Sequence, residues 1–318
     1  MRGVSSKTLD RRRLLAAAFG AGAAAAVGAV WWRVTNAQPA ATTFTETPLR
    51  EGLSLITGAG SNVIVLRTAS GAALVDSGSP EHAAELKRVV GASPVELLFN
   101  THWHPMHTGG NETVRSADTT IVAHELTRLW MSTEYYVDWE DRTYSPRTPA
   151  ALPTKTFYAS DPQPITALVG DEEIEYGHLP EAHTDGDIYV WFKRRNVLVA
   201  GGTVTAGAYP VPDPATGGWI GGLAAATEKL LAIADAETLI VPAAGPAQRR
   251  THLETQLAML TAMRDRIEEH MRDGHSVAEM LAANVTDGFD GYWGADRDQF
   301  VANVYEGLWW AGRLRDSL

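Results

Sequence analysis

Three histidines fall within six positions of one short segment, and this segment constrains the fold more than any other. Residues 100–111 read Asn-Thr-His-Trp-His-Pro-Met-His-Thr-Gly-Gly-Asn and contain His102, His104 and His107. They directly follow Val95–Phe99, an apolar run with the length and composition of a buried strand. Imidazole is a common ligand of zinc and related metals. A strand that ends in such a turn therefore predicts a metal site at the edge of a sheet.

The composition limits the size of the fold and the metal chemistry. The chain has 318 residues, of which 45% are hydrophobic and 20% charged, which suits one large two-layer domain. It contains no cysteine, so disulfides and thiolate ligands are excluded. A zinc site in this chain must use His, Asp or Glu.

Residues 1–37 have the three-part layout of an export signal. Five basic residues lie before position 14, and nineteen uncharged residues, 14–32, follow them. The Asp10–Leu15 run resembles a twin-arginine leader, and small residues at 35–37 suit cleavage. A retained membrane anchor is the alternative, because nineteen helical residues span about 29 Å. With residues 38–47 as a tether, both alternatives place the globular part in the periplasm or elsewhere outside the cytoplasm.

The charge balance argues against two classes of partner. The leader holds six of the 27 basic residues and one of the 38 acidic ones, which leaves 21 against 37 and a net charge of −16. Such an acidic surface disfavours nucleic acid and anionic lipid headgroups. A small-molecule substrate and a protein partner stay open, as does membrane association through residues 14–32.

Two successive blocks of strands followed by helices are predicted from residue 48 onward. The predicted strands are Asn62–Arg67, Ala72–Val75, Val95–Phe99, Thr120–Ala123, Glu173–Tyr176, Ile188–Phe192, Val197–Ala200 and Thr238–Pro242. The predicted helices are Glu81–Val90, Glu125–Ser132, Leu223–Asp235, Gln248–Arg272, Ser276–Asn284 and Arg297–Leu314. The proline-rich residues 133–164 show no clear period and are predicted to form an irregular functional loop or lid. The pattern indicates one α/β domain over residues 48–318, a sandwich of two sheets with helices packed outside.

The motifs and their order resemble the metallo-β-lactamase fold family. That family is marked by H-x-H-x-D-H after a strand, then by a distant His, a distant Asp and a final His. The His102–His107 segment resembles the first motif, and His183–Asp187, which also precedes a strand, resembles the distant-His segment. Val197–Thr203 and Val241–Pro246 resemble the segments that end in the distant Asp and the final His, and the 290–294 stretch resembles an exported subgroup. The resemblance implies an αββα sandwich of two mixed sheets flanked by helices.

One complete zinc site is implied by the resemblance. The first zinc of the family has three histidine ligands, which correspond to His102, His104 and His183 in this chain. Three such ligands leave a fourth tetrahedral position for water.

A second zinc is not expected. Of its usual ligands only His107 is retained, while Met106, Gly202 and Ala244 stand where the family has an Asp, a bridging Asp and a His. A thioether cannot neutralise a second divalent ion, so we expect one Zn²⁺ per chain. A copper site that includes Met106 and a histidine cluster without metal are the alternatives.

The resemblance implies an exported hydrolase that uses zinc-bound hydroxide. Its substrate would be an ester, thioester, lactone or similar carbonyl compound, with His107 and Asp185 as the candidates for catalytic proton transfer. The alternative function is a weak or inactive family member that serves as a membrane-tethered subunit of a larger complex. The presence of all three histidine ligands favours the enzyme hypothesis, and the missing carboxylates favour the subunit hypothesis.

Clustered aromatic residues have no single interpretation. Trp130, Tyr135, Tyr136 and Trp139 are candidates for the lining of a substrate entrance, although core packing or partner contact would use the same residues. The Trp309–Trp310 pair is a candidate protein interface.

Overall fold

The structure, a computed structural model, describes residues 43–161 and 164–316, and their strands form two large sheets and one hairpin. The first sheet has the strand order β1 (Thr45–Arg50), β2 (Leu53–Thr57), β3 (Val63–Arg67), β4 (Ala72–Val75), β5 (Val95–Phe99), β6 (Thr120–His124) and β9 (Lys155–Phe157). The second has the order β10 (Ile165–Val169), β11 (Glu172–His178), β12 (Ile188–Phe192), β13 (Val197–Gly201) and β14 (Leu239–Pro242). The hairpin pairs β7 (Tyr135–Val137) with β8 (Arg142–Tyr144).

The helices lie mainly after the strands in each half of the chain. They are α1 (Ala83–Val90), α2 (Pro105–Thr108), α3 (Asn111–Val114), α4 (Glu125–Ser132), α5 (Ile220–Ile233), α6 (Arg250–Arg272), α7 (Val277–Ala282), α8 (Asp290–Trp293) and α9 (Arg297–Asp316). Short 3₁₀ turns cover Pro80–His82, Asp138–Glu140, Pro149–Ala151 and Pro214–Thr216. The six helices predicted from the sequence are all present, with ends shifted by a few residues.

Alternating apolar side chains divide the molecule into four layers. In β3, Ile64 and Leu66 belong to the cluster between the two sheets, whereas Val63 and Val65 belong to the cluster under α1. This period of two is the pattern of a strand that is buried on both faces. A third cluster packs α5, α6 and α9 against the outer face of the second sheet. The predicted αββα sandwich is therefore confirmed.

Parallel strand pairs direct their carboxyl ends to one edge of the sandwich. Both sheets are mixed, with β4, β5, β6 and β9 parallel in the first and β13 and β14 parallel in the second. The two sheets meet at this edge through a hydrogen bond from Ile188 N to Thr101 O (2.8 Å). The loops that follow β4, β5 and β13 consequently lie side by side. His102, His104 and His107 lie in the loop after β5, Gly202 directly follows β13, and His183 and Asp185 lie in the turn between β11 and β12.

Two segments differ from the sequence-based expectation. Residues 133–164 were predicted to be irregular, but they contain the β7–β8 hairpin and the edge strand β9. The prediction was wrong because these strands have three residues each, too few to show a period of two. Residues 45–47, expected at the end of a tether, already belong to β1.

The export-signal and membrane-anchor predictions fall on residues 1–37, which lie outside the described residues. Among residues 43–161 and 164–316, no helix is both long and apolar enough to cross a membrane.

Candidate metal centre

The histidine turn is fixed at both ends by a pair of asparagine side chains. Asn100 Nδ2 donates to Asn111 Oδ1 at 3.0 Å, and Asn111 Nδ2 donates back to Asn100 Oδ1 at 2.8 Å. Both residues are fully buried, and Ser77 Oγ donates a further hydrogen bond to Asn111 Oδ1 (2.7 Å). Buried amides with several partners have a defined orientation. The turn between them therefore presents its side chains from a rigid base.

Three histidines from two distant segments meet at this turn. His102 and His104 follow β5, and His183 comes from the turn between β11 and β12. The three ring centroids are each 4.9 Å apart, so the rings form an equilateral triangle. One nitrogen of each ring lies within 4.8 Å of the other two, and His183 Nε2 is 3.0 Å from His104 Nδ1. The structure thus brings together all three residues predicted as metal ligands, and we call His102, His104 and His183 the tripod.

Hydrogen bonds at the outer nitrogens fix the protonation of two of these rings. His183 Nδ1 is 2.7 Å from Val211 O, and a carbonyl only accepts, so this nitrogen carries the proton. Thr101 Oγ1 donates to Asp76 Oδ2 (2.8 Å) and therefore accepts from His102 Nδ1 (3.1 Å). In a neutral imidazole the other nitrogen is then an acceptor. Nε2 of both His102 and His183 consequently presents a lone pair to the centre.

His104 is oriented by a carboxylate that the sequence analysis did not single out. Its Nε2 lies 3.3 Å from Asp213 Oδ2, although the contact is too oblique for a well-aligned hydrogen bond. A proton on Nε2 is favoured beside a carboxylate, which leaves the lone pair on Nδ1, the atom nearest His183. Carboxylates that hold the outer nitrogen of a histidine ligand in this way are common in metal sites.

Asp213 is completely buried and is held by several donors. Trp139 Nε1 donates to Oδ1 (2.8 Å), and Thr216 Oγ1 donates to Oδ2 (2.6 Å). Burial alone would raise the pKa of Asp213, but the neighbouring His104 and the hydrogen bonds from Thr216 and Trp139 outweigh burial and lower that pKa. Its backbone N–H also donates to His183 O (2.8 Å), so the loop that carries Asp213 is tied to a second ligand.

The three nitrogens that face the centre are better suited to bind a cation than to form hydrogen bonds with one another. Burial lowers the pKa of both His102 and His183, and the neighbouring histidines lower it further, so these rings are neutral. Nε2 of His102, Nε2 of His183 and Nδ1 of His104 then direct their lone pairs towards one point. A divalent ion with three imidazole ligands resolves this arrangement, and zinc commonly has such ligands. The residues present therefore fit a single tris-histidine metal ion.

The three positions where a second metal would need ligands are either exposed to solvent or too crowded for a side chain. Met106 is 54% exposed, and Ala244 also lies at the surface. Gly202 directly follows β13, and a Cβ atom there would lie only 2.3 Å from His183 Cδ2. The ring of His183 thus occupies the space that a side chain at position 202 would need.

His107 lies beside the tripod, held by Asp76. His107 Nδ1 donates to Asp76 Oδ2 at 2.7 Å, and its ring centroid is 4.2 Å from that of His102. Asp76 directly follows β4, adopts a left-handed backbone (φ 61°) and also accepts from Thr101 N (2.8 Å). One carboxylate therefore positions both His107 and the turn that carries His102, while His107 Nε2 is left as an acceptor.

Asp185 shares the turn of His183 but does not contact the tripod. Its Oδ1 accepts from Trp130 Nε1 at 2.8 Å, and it makes no hydrogen bond to a described tripod histidine. Burial raises the pKa of Asp185 to about 6. Of the two residues predicted to transfer protons, the structure brings only His107 into contact with a ligand.

An aromatic cluster stands beside the centre. It combines the buried side chains of Trp103 and Tyr144 with the partly buried Trp130, Tyr135 and Trp139. Trp103 Nε1 donates to Thr216 Oγ1 (3.1 Å), and the other two indoles donate to Asp185 and Asp213. Tyr136, by contrast, is exposed. Trp139 holds Asp213, the carboxylate beside His104, and Trp130 holds Asp185, roles that the sequence did not reveal.

Sequence comparison assigns the family. A profile of the metallo-beta-lactamase superfamily matches residues 56–255, more than half of the chain, and this range contains His102, His104 and His183. The chain belongs to the metallo-beta-lactamase superfamily. The motif resemblance is thereby confirmed at the level of the superfamily. A comparison with curated proteins finds no match.

Solved structures show the same superfamily fold. The metallo-beta-lactamase from Pontibacter korlensis is similar with a TM-score of 0.55 and 21% identity, over 69% of this chain and 99% of its own. The DIM-1 metallo-beta-lactamase gives 0.54 and 16%, over 69% and 97%. The sec-alkylsulfatase Pisa1 from Pseudomonas sp. gives 0.62 and 15%, over 83% and 50%. At such identities the likeness shows the fold and not the activity.

Proposed function

We propose that this superfamily member is an exported hydrolase with one zinc ion per chain. Its substrate class would be a small ester, thioester, lactone or similar carbonyl compound. The single observation that carries the proposal is the convergence of the inner nitrogens of His102, His104 and His183, each with its outer nitrogen beside an oxygen atom. An ion held by three neutral imidazoles keeps a position for water.

The chain's own residues supply orientation and proton transfer. Zinc in such a site lowers the pKa of water towards neutrality and so makes a nucleophile available. His107 Nε2 is the acceptor for the proton that the nucleophile loses, because Asp76 holds Nδ1–H and thereby fixes the tautomer. Asp185 is the second candidate for proton transfer, on the turn that carries His183.

Hydrolysis of a panel of generic esters, thioesters and lactones tests the proposal. Wild type is compared with His102→Ala and His183→Ala, and metal content is measured on the same samples. We expect about one zinc per chain in wild type, with both metal and turnover lost in the two variants. His275→Ala, far along the chain after α6, is the matched control and should keep both. Equal turnover in wild type and tripod variants would contradict the proposal.

A second candidate function is a weak or inactive subunit of a larger complex, tethered to the membrane by residues 14–32. The exposed thioether of Met106 and the missing side chain at Gly202 favour it, because the carboxylates that usually hold a second metal are absent at these positions. Stable recovery of a membrane partner after detergent extraction, together with no turnover of any panel substrate, would support this candidate. Mass determination of the amino terminus tests whether the leader is removed.

A further inference from the structure

A cavity of about 390 Å³ lies on the loop that carries Asp213, apart from the tripod. Its lining includes Glu181, Gly217, Gly218, Trp219 and Trp310. A volume of this size is within the range of about 300–1,000 Å³ found for small-molecule sites. Neither the metal centre nor the proposed hydrolysis uses its two tryptophans.

The walls of the cavity are shaped by glycines that let large rings approach the backbone. A Cβ atom at Gly307 on α9 would lie 3.1 Å from Trp219 Cβ, and one at Gly221 would lie 2.3 Å from Trp219 Cη2. Trp219 is partly buried by these contacts, whereas Trp310 is 53% exposed. Two indoles and small residues therefore form a largely apolar surface with one open side.

One carboxylate belongs to this surface, and a second lies beside Trp310. Glu181 is the one ionisable residue among the described residues of the lining. Glu306 accepts a hydrogen bond from the Trp310 side chain, and burial together with Asp138 and Asp213 raises the pKa of Glu306. The exposed Glu181 carboxylate gives the lining of the cavity a negative charge, on a chain whose net charge is −11.

Aromatic faces next to carboxylates recognise organic cations. The negative face of an indole attracts a quaternary ammonium group, while its apolar surface contacts the methyl groups. An anion would be repelled by the Glu181 carboxylate, and a purely apolar ligand would gain nothing from it. Charge complementarity thus favours an organic cation as the ligand of this cavity.

We propose that the cavity between Trp219 and Trp310 binds an alkylammonium group of a small molecule. Trp310 on α9 and Trp219 supply the aromatic surface of the site, and Glu181 supplies the balancing charge. The site does not depend on metal or on turnover. It is linked to the metal centre through the loop backbone, because Gly218 N donates to Asp213 O (2.8 Å) and Asp213 N donates to His183 O.

Calorimetric titration of the full chain with choline tests the proposal, with the neutral isostere 3,3-dimethyl-1-butanol as the parallel ligand. We expect choline to bind at least about tenfold more tightly than the isostere. Trp310→Ala should weaken choline binding by about tenfold or more, Trp310→Phe should restore part of it, and Glu181→Gln should weaken it severalfold. Trp309→Ala is the matched control, because Trp309 is equally exposed but does not line the cavity. Thermal unfolding of each variant checks that the fold is intact.

The outcomes separate the alternatives. Equal binding of choline and the isostere would show an apolar cavity without cation recognition and would overturn the proposal. No binding of choline, or equal loss in Trp309→Ala and Trp310→Ala, would overturn it as well. Repeating the titration on His102→Ala should leave choline affinity within about twofold, so a failure of the hydrolase proposal does not affect this result.

Discussion

The imidazole of His183 lies against the backbone of Gly202. A Cβ atom at position 202 would lie 2.3 Å from His183 Cδ2, 2.8 Å from Cγ and 3.0 Å from Nε2. Contacts this short force one group to move, and the His183 ring is held on its far side by Val211 O. The strand-end Asp of the family is therefore not merely absent from this chain, because the ring of His183 occupies the space that this Asp would need.

Gly202→Ala should lower metal affinity without abolishing the fold. The new methyl group pushes His183 away from His102 and His104, and such overpacking costs about 1–3 kcal/mol of stability. Gly291→Ala is the control, because a Cβ atom there would meet nothing within 4 Å. Metal content after dialysis and thermal unfolding measure the two effects. Unchanged zinc affinity in Gly202→Ala would show that the ring moves aside at no cost.

Restoring the family ligands should fail for the same reason. A triple variant with Met106→Asp, Gly202→Asp and Ala244→His carries every missing group. The Asp introduced at position 202, however, would have its Cβ atom in contact with His183. We expect at most one zinc per chain in this variant and weaker binding than in wild type. Elemental analysis at saturating zinc decides the matter, and two ions per chain would contradict the prediction.

Asp213→Asn should weaken metal binding while preserving shape. The amide removes the charge beside His104 Nε2, and loss of such an orienting group typically costs about 10–100-fold in metal affinity. Asp138→Asn, an exposed position on the neighbouring hairpin, should leave affinity unchanged. Competition with a chromogenic chelator measures both variants. Equal affinities would mean that Asp213 supports the loop and not the ligand.

The layers of the fold could be predicted because they depend on local pattern. β3 is a short β-branched apolar run, and α6 has apolar residues at helical spacing, so each element type can be read from its own residues. The β7–β8 hairpin could not be predicted in this way, since its short strands are stabilised by tertiary contacts such as those of Trp103 with Tyr135 and Tyr144.

The tripod was predictable and its support was not. His102 and His104 are two positions apart in one motif, which is a local signal. Asp213 lies 30 residues after His183 in an Asp-Pro turn, and nothing in the sequence distinguishes it from an ordinary helix cap. Only the fold brings its carboxylate to His104, because Asp213 N bonds to His183 O across the loop.

His107→Gln should separate metal binding from catalysis. His107 does not belong to the tripod, so we expect about one zinc per chain to remain. Loss of a positioned proton acceptor typically lowers kcat by about 10²–10⁴-fold. Asp76→Asn should lower kcat less, because Asn tolerates the left-handed backbone at this position but holds His107 more weakly. Unchanged kcat in His107→Gln, or loss of zinc, would contradict the assigned role.

The free energy of unfolding should decline in mild acid because of a stacked pair of histidines outside the tripod. The rings of His124 and His178 stack with centroids 3.9 Å apart and an angle of 6°, and both are buried. Burial, and then the neighbouring His178, lower the pKa of His124 from its ordinary value of 6.5 to about 4. The unfolded chain therefore binds a proton at higher pH than the folded chain does. The resulting stability is fully present above pH 6.5 and is lost as the pH falls through 4.

His124→Asn isolates this contribution. Asn is a good helix N-cap and can still accept from Leu126 N, as His124 Nδ1 does at the start of α4, but it has no proton to gain in this range. We expect the variant to lose about 1–2 kcal/mol less than wild type between pH 7 and pH 4, roughly half of the full linkage value because residual solvent screens the site. Urea unfolding at several pH values gives the two slopes, and any loss of stacking appears as a constant offset at all pH values. Identical slopes would show that protonation of His124 does not oppose folding.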